Sequence, residues 1–242
     1  MTELLYQTDS YLKTFEANVT AVNPDQQGVV LSQTAFYPGG GGQPNDTGTL
    51  AFDGQTVPVI KMRRVDGDYL HILEPSAPLP QVGTKVQGSI DWDRRYQLMR
   101  THTAMHILCG VIFRDYGAQV TGGNMDPLKG RMDFEFETMR QELVAEIEAS
   151  INQEVANARP LAVRILPREE AFQIPDLIRT KINLLPEAIQ AVRVVEIENL
   201  DLQADGGTHV ANTSEVGTIR VADYKSKGKI NKRIYVELEE EK

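Results

Sequence analysis

His102 and His106 stand four residues apart in "THTAMHILCG", and Asp205 and His209 stand four apart in "QADGGTHV". On a helix, residues i and i+4 project from one face a turn apart, so two imidazoles at that spacing can reach one small cation. A carboxylate and an imidazole flanking a Gly-Gly-Thr turn can also face one point. Together the four residues make an N/O set suited to zinc. The plainer reading is a pair of buried, hydrogen-bonded histidines and a glycine turn ending in a surface histidine. On composition alone that reading has a slight edge, although three of the four histidines, all but His71, fall in these two short stretches. Thr103 follows His102 where a zinc peptidase carries its general-base Glu, which argues against peptide hydrolysis.

Two further stretches have the composition of binding elements. Residues 34–50, "TAFYPGGGGQPNDTGTL", contain four consecutive glycines after Pro38. Such a backbone is free for positive φ and for close approach to a ligand, but it lacks the Lys of a nucleotide-binding loop. It is either a hairpin tip or a loop leaning over a site, with Gly40, Gly41 and Gly42 near a substrate and Gln43 as a neutral donor or acceptor. The segment "RVADYKSKGKINKR" sets Arg220, Lys225, Lys227, Lys229, Lys232 and Arg233 against one acid, Asp223. In a chain of net charge −9 this is a local reversal. It reads equally as a solvated turn or as a contact for a phosphate backbone through Lys227, Lys229 and Lys232.

The elements that must position these residues divide near residue 90. Before it, "FEANVTAV", "GVVLSQTAFY", "GTLAF", "TVPVIKMRRV", "YLHILE" and "TKVQGSI" read as short strands punctuated by Gly, Pro, Asn and Asp. They predict a small barrel or sandwich over residues 1–90. After it, "DWDRRYQLMRTHTAMHILCGVIFRDYG" has no Gly or Pro before Gly110 and predicts a helix with Asp91 as N-cap. A second helix is expected over "TMRQELVAEIEASINQEVAN", opened by a capping box of Thr138 and Gln141. A strand at "RMDFEF" separates the two helices, and strands follow the second at "LAVRIL", "VRVVEIENL", "VGTIRVADY" and "NKRIYVELE", the last two as a hairpin. The fold class is therefore α+β, with an α/β unit over residues 91–242.

With 242 residues, 41% hydrophobic and 24% charged, the composition is that of a soluble globular protein. No signal peptide or membrane-length apolar run is read, and Cys109 as the only cysteine excludes an internal disulfide, so a cytoplasmic protein is expected. The acidic total argues against a generic nucleic-acid coat and leaves room for a local basic dock.

Taken together, "AFYPGGGGQPNDTGTL", "DWDRRYQLMRTHTAMHIL", "LDLQADGGTHVANTSEVGTIR" and "SKGKINKRI" resemble the editing domain of alanyl-tRNA synthetase and its freestanding AlaX relatives. The four fall in the family's order over nearly the whole chain. The resemblance implies an N-terminal β-barrel followed by a two-layer editing domain with a mainly antiparallel sheet. It also implies one zinc ion per chain on His102, His106 and His209, with Asp205 where the commonest pattern has Cys. Thr121 matches a small hydroxyl residue that the family places beside the aminoacyl group. Gly122 stands where synthetase-linked domains tend to carry Gln. The implied activity is trans-editing of mischarged tRNA(Ala), on Ser-tRNA(Ala) first and Gly-tRNA(Ala) second, with Thr121, Gln43 and Thr208 as candidate orienting residues. A monomer without membrane or DNA partners is expected. An inactive RNA-binding module and a small-ester hydrolase are the rival readings.

Overall fold

The computed structural model describes residues 2–65, 67–136, 139–180 and 189–240. The chain forms two compact units, residues 1–40 with 44–96, and residues 41–43 with 97–242.

The first unit contains β1 (Glu3–Leu4), β2 (Thr14–Asn23), β3 (Gly28–Leu31), β4 (Gln33–Thr34), β5 (Gly48–Phe52), β6 (Gln55–Val65), β7 (Asp68–Leu73) and β8 (Lys85–Ile90). Six of these close into an antiparallel barrel in the order β2-β3-β7-β6-β5-β8, and β8 returns to pair with β2. Closure leaves no sheet edge to protect. Alternation fills the interior: Val57 and Val59 of β6 point inward, a bulge shifts the register, and Met62 takes the next inward place. The expected strand "GVVLSQTAFY" breaks at Ser32. Beyond it Gln33–Thr34 pairs with β1, and Phe36 turns into the barrel core. The Asp46 carboxylate, fully buried, accepts from Tyr37 N and pairs with the buried Arg95 guanidinium. Arg95 also donates to the carbonyls of Ser10 and Ala35.

Helix α1 (Trp92–Tyr116) starts where Asp91 Oδ1 accepts from Arg94 N, as the N-cap expectation requires. In the second unit it is followed by β9 (Val120–Asp126), β10 (Lys129–Glu135), α2 (Gln141–Ala156), β11 (Leu161–Pro167), α3 (Arg168–Ala171), β12 (Ala191–Ile197), β13 (Asp201–Ala204), β14 (Ile219–Ser226) and β15 (Asn231–Leu238). Where one sheet was expected there are two antiparallel ones, β14-β15-β10-β9 and β11-β12-β13. The strand read as "VRVVEIENL" ends at Ile197. Asn199 adopts φ +56° and turns the chain back into β13. Helix α2 begins at Gln141 with Arg140 as an N-cap that makes no side-chain cap bond, and Thr138 lies outside the described residues. Residues 98–112 of α1 are buried on every side, which makes this helix the core element of the unit. Among the described residues no helix is long and apolar enough to cross a membrane.

Candidate metal centre

His102 and His106 project from the buried middle of α1, and Asp205 and His209 from the segment that leaves β13. One ligand atom from each of the four lies within 4.8 Å of the others. Asp205 Oδ2 is 3.0 Å from His209 Nε2, and Asp205 Oδ1 is 3.6 Å from His102 Nε2. The rings of His102 and His209 stack with centroids 4.2 Å apart. Gly207 makes this approach possible, because a Cβ there would lie 2.3 Å from His102 Cε1.

The outward nitrogen of each ring has its own partner. His102 Nδ1 meets Gln43 Oε1 at 3.0 Å. That oxygen also accepts from Thr208 N at 3.0 Å, while Gln43 Nε2 donates to Thr208 Oγ1 at 2.9 Å. Because a backbone N–H can only donate, the amide orientation is fixed and His102 must carry its proton on Nδ1. His106 Nδ1 meets Asp201 Oδ2 at 2.9 Å and is fixed in the same way. His209 Nδ1 lies 3.2 Å from Thr103 Oγ1, a hydroxyl able to donate or accept. Each ring thus leaves Nε2 for the shared point, and outer partners of this kind are what orient metal-binding histidines.

Protonation follows from this environment. Burial pushes the His102 pKa well down and that of His209 to about 4, so both rings are neutral at pH 7. Burial opposes the charged form of His106 too, but its hydrogen bond to Asp201 and that group's charge raise it overall. Burial of Asp205 favours the acid. His102 first, then the hydrogen bond to His209 and the neighbouring His106, outweigh that and hold its carboxyl well below the usual carboxylate range; Gly207 N also donates to its Oδ2 at 2.7 Å. Arg193 Nη1 stands 3.7 Å from Asp205 Oδ2 and donates to the Asp205 carbonyl at 3.1 Å.

The other singled-out residues take varied places. Gly39 to Gly42 all have positive φ. The Gly42 carbonyl accepts from Met125 N at 3.1 Å, and a Cβ on Gly42 would press within 3.1 Å of the Gly123 carbonyl oxygen. Gly40 belongs to the first unit, where its carbonyl accepts from Tyr37 Oη. Gln43 and Thr208 are buried and bonded to each other. Thr121 donates to Asn231 Oδ1 and borders a cavity of about 240 Å³ walled by His102, Met105, His106, Met132 and Gln203. A second cavity of about 220 Å³ shares Gln203 and Thr180 with the first and is bounded by Gly41, Arg179 and Asp205. Lys227 and Lys229 are exposed. Lys232 is buried, with its ammonium on the carbonyls of Gly228 and Lys229, so it builds the hairpin turn.

Sequence reasoning missed Asp201, Gln203, Arg193 and the part played by Thr103. A signal existed for two of them. In "DLQAD" the period of a strand puts Asp201, Gln203 and Asp205 on one face. Asp201 reaches His106, and Gln203 braces Asp201 by donating to the same Oδ2 at 2.7 Å.

Comparison with known proteins agrees with this architecture. Residues 5–94 match the family model for class II (A) tRNA synthetases, and residues 192–235 match that for the threonyl and alanyl tRNA synthetase second additional domain. The chain is 42% identical over 237 residues to the alanyl-tRNA editing protein AlaX-M of Saccharolobus solfataricus, covering 97% of this chain and 98% of that one. It is 41% identical over 244 residues to AlaX-M of Methanosarcina acetivorans, covering 98% and 99%. To the alanine–tRNA ligase of Pyrococcus furiosus it is 39% identical over 223 residues, covering 91% of this chain but 24% of the ligase. The chain belongs to the AlaX family of alanyl-tRNA editing proteins.

Proposed function

We propose that the protein edits tRNA(Ala) in trans by hydrolysing the ester between a wrongly attached amino acid and the terminal ribose. Serine is removed first, glycine second, and alanine is spared. The observation that carries this reading is the convergence of His102, His106, Asp205 and His209 beside a cavity of small-molecule size. It is supported by likeness over nearly the full length to proteins named for alanyl-tRNA editing. In this reading residues 1–90 are a barrel domain and residues 91–242 the editing domain of a monomeric, cytoplasmic enzyme with no membrane or DNA partner.

Three neutral or outer-bonded imidazoles and one ionised carboxylate fit zinc by the chemistry of the donor set. A zinc ion held by three of these groups with one position open would supply Lewis acidity, to lower the pKa of a water or to anchor and polarise the ester, and the first role is the one proposed. Gln43 and Thr208 contribute by holding His102, and Thr103 by holding His209. Thr121, at the cavity wall, pairs with the seryl hydroxyl. Alanine leaves that group unsatisfied, which discriminates more strongly than a missing methylene does. Glycine only removes atoms and is selected less well. Gly40, Gly41 and Gly42 line the path of the acceptor end. Lys227 and Lys229 contact phosphates, while Lys232 shapes their turn.

The test is deacylation of Ser-tRNA(Ala), Gly-tRNA(Ala) and Ala-tRNA(Ala), with and without a chelator. Chelator-sensitive loss of the serine ester ahead of the glycine ester, with the alanine ester intact, is expected. RNA binding without turnover of any of the three overturns the enzyme reading in favour of a binding module. Turnover of small esters indifferent to tRNA and to salt overturns the RNA-directed one. Lys227→Glu with Lys229→Glu lowers the salt dependence of turnover if these lysines meet phosphates.

A further inference from the structure

The Asp201 side chain is fully buried. Its Oδ2 accepts from His106 Nδ1 at 2.9 Å and from Gln203 Nε2 at 2.7 Å. Its Oδ1 has no hydrogen-bond partner among the described residues and faces Arg179 Nε at 3.6 Å. Arg179 Nε and Nη1 are buried and have no hydrogen-bond partner among the described residues, and the guanidinium lies 3.7 Å over the Phe113 ring. A buried ion pair is costly to assemble and often less stabilising than an apolar replacement, so its presence asks for a use.

The use lies in the contrast among the three rings. His102 is backed by an amide oxygen and His209 by a hydroxyl, whereas His106 alone is backed by a carboxylate. An ionised carboxylate has no proton to give, so the ring nitrogen facing it must carry one. A carboxylate behind an imidazole also increases the donor strength of the opposite nitrogen. Each carboxylate at the centre has its own arginine, Arg193 for Asp205 and Arg179 for Asp201, which keeps two buried negative charges compatible.

We propose that Asp201 is a positioning residue that acts through His106, locking its proton on Nδ1 and strengthening Nε2 as a metal donor, and that Arg179 holds the Asp201 charge in place. The proposal rests on the reading of the cluster as a metal centre. One of its consequences, the position of the His106 proton, is independent of metal.

The first measurement is therefore ¹⁵N NMR of histidine-labelled, metal-stripped protein at pH 8, with His106 assigned by loss of its signals in His106→Asn. A single form protonated on Nδ1 is expected, and a ring protonated on Nε2, or an even mixture, overturns the proposal. The second measurement is zinc affinity by competition with a chromophoric chelator. Asp201→Asn keeps the shape and an acceptor but removes the charge, and is expected to weaken zinc by about 10- to 100-fold. Zinc affinity within twofold of the unaltered protein overturns the proposal. Should Asp201→Asn fail to fold, Arg179→Met replaces it, with a smaller loss of affinity expected and unchanged affinity counting against Arg179's role. An unaltered protein that takes up no zinc defeats the metal reading instead, and the NMR result then decides the positioning role alone.

Discussion

His71 in the barrel and the histidines at 102, 106 and 209 in the second unit are all buried, and burial lowers the pKa of three of the four. The barrel histidine spends both ring nitrogens on its surroundings, Nε2 on Thr34 Oγ1 at 2.8 Å and Nδ1 on the Val29 carbonyl at 3.2 Å. The other three spend Nδ1 on outer partners, while Nε2 of His209 and of His102 lies 3.0 and 3.6 Å from the Asp205 carboxylate, at the point where all four side chains converge. Burial therefore does not separate a structural histidine from a chemical one. The destination of the second nitrogen does.

The largest expected effect that tests this contrast is loss of metal. His102→Ala abolishes stoichiometric zinc uptake measured by equilibrium dialysis, while His71→Gln leaves it unchanged. A zinc defect in His71→Gln of equal size breaks the comparison. Next is Arg95→Met, which strands the Asp46 carboxylate in the barrel. It costs about 3–5 kcal/mol in urea unfolding, with no change in zinc affinity of whatever protein remains folded.

A smaller effect is one of pH. His71 has a folded pKa of about 4 against 6.5 when unfolded, so between these values the unfolded chain binds a proton that the native ring refuses. The stability it contributes is complete above pH 6.5 and is lost as pH falls toward 4. The loss amounts to roughly 3 kcal/mol for a shift of this size. Urea titrations across that window show a steep acid limb that is shallower in His71→Gln, and added zinc does not remove the difference.

The smallest effect contrasts two neighbouring glycines. A Cβ on Gly207 collides with His102, whereas one on Gly206 meets open space. Gly207→Ala weakens zinc by about tenfold, the scale of a disturbed outer contact, and Gly206→Ala stays within twofold of the starting affinity.

Local periodicity made much of this legible. The Gly- and Pro-punctuated strands announced the barrel, and the uninterrupted run after Asp91 announced the central helix. Spacing of four put His102 and His106 on one helical face, and the turn at Gly206–Gly207 offered Asp205 and His209 as companions. What stayed hidden was long-range pairing. Thr103 with His209, Asp201 with His106, and Gln43 with His102 join residues 59 to 106 positions apart, and no local pattern encodes them. Strand β9 was missed because "VTGGNMD" carries two glycines and few β-formers. It is held as a strand by its neighbour β10 rather than by its own propensity. Lys232 was grouped with its basic neighbours because charge runs look alike, until the carbonyls of Gly228 and Lys229 claim one member.

The central claim, that four side chains from two segments form one metal centre, is tested most directly by metal content. Elemental mass spectrometry of the purified protein, and of Asp205→Ala and His209→Ala loaded under identical conditions, should find one zinc per chain in the unaltered protein. The metal should be lost or greatly weakened in His209→Ala. Absence of bound metal from the folded, unaltered protein even after exposure to zinc would contradict the account and leave the four residues as a hydrogen-bonded cluster.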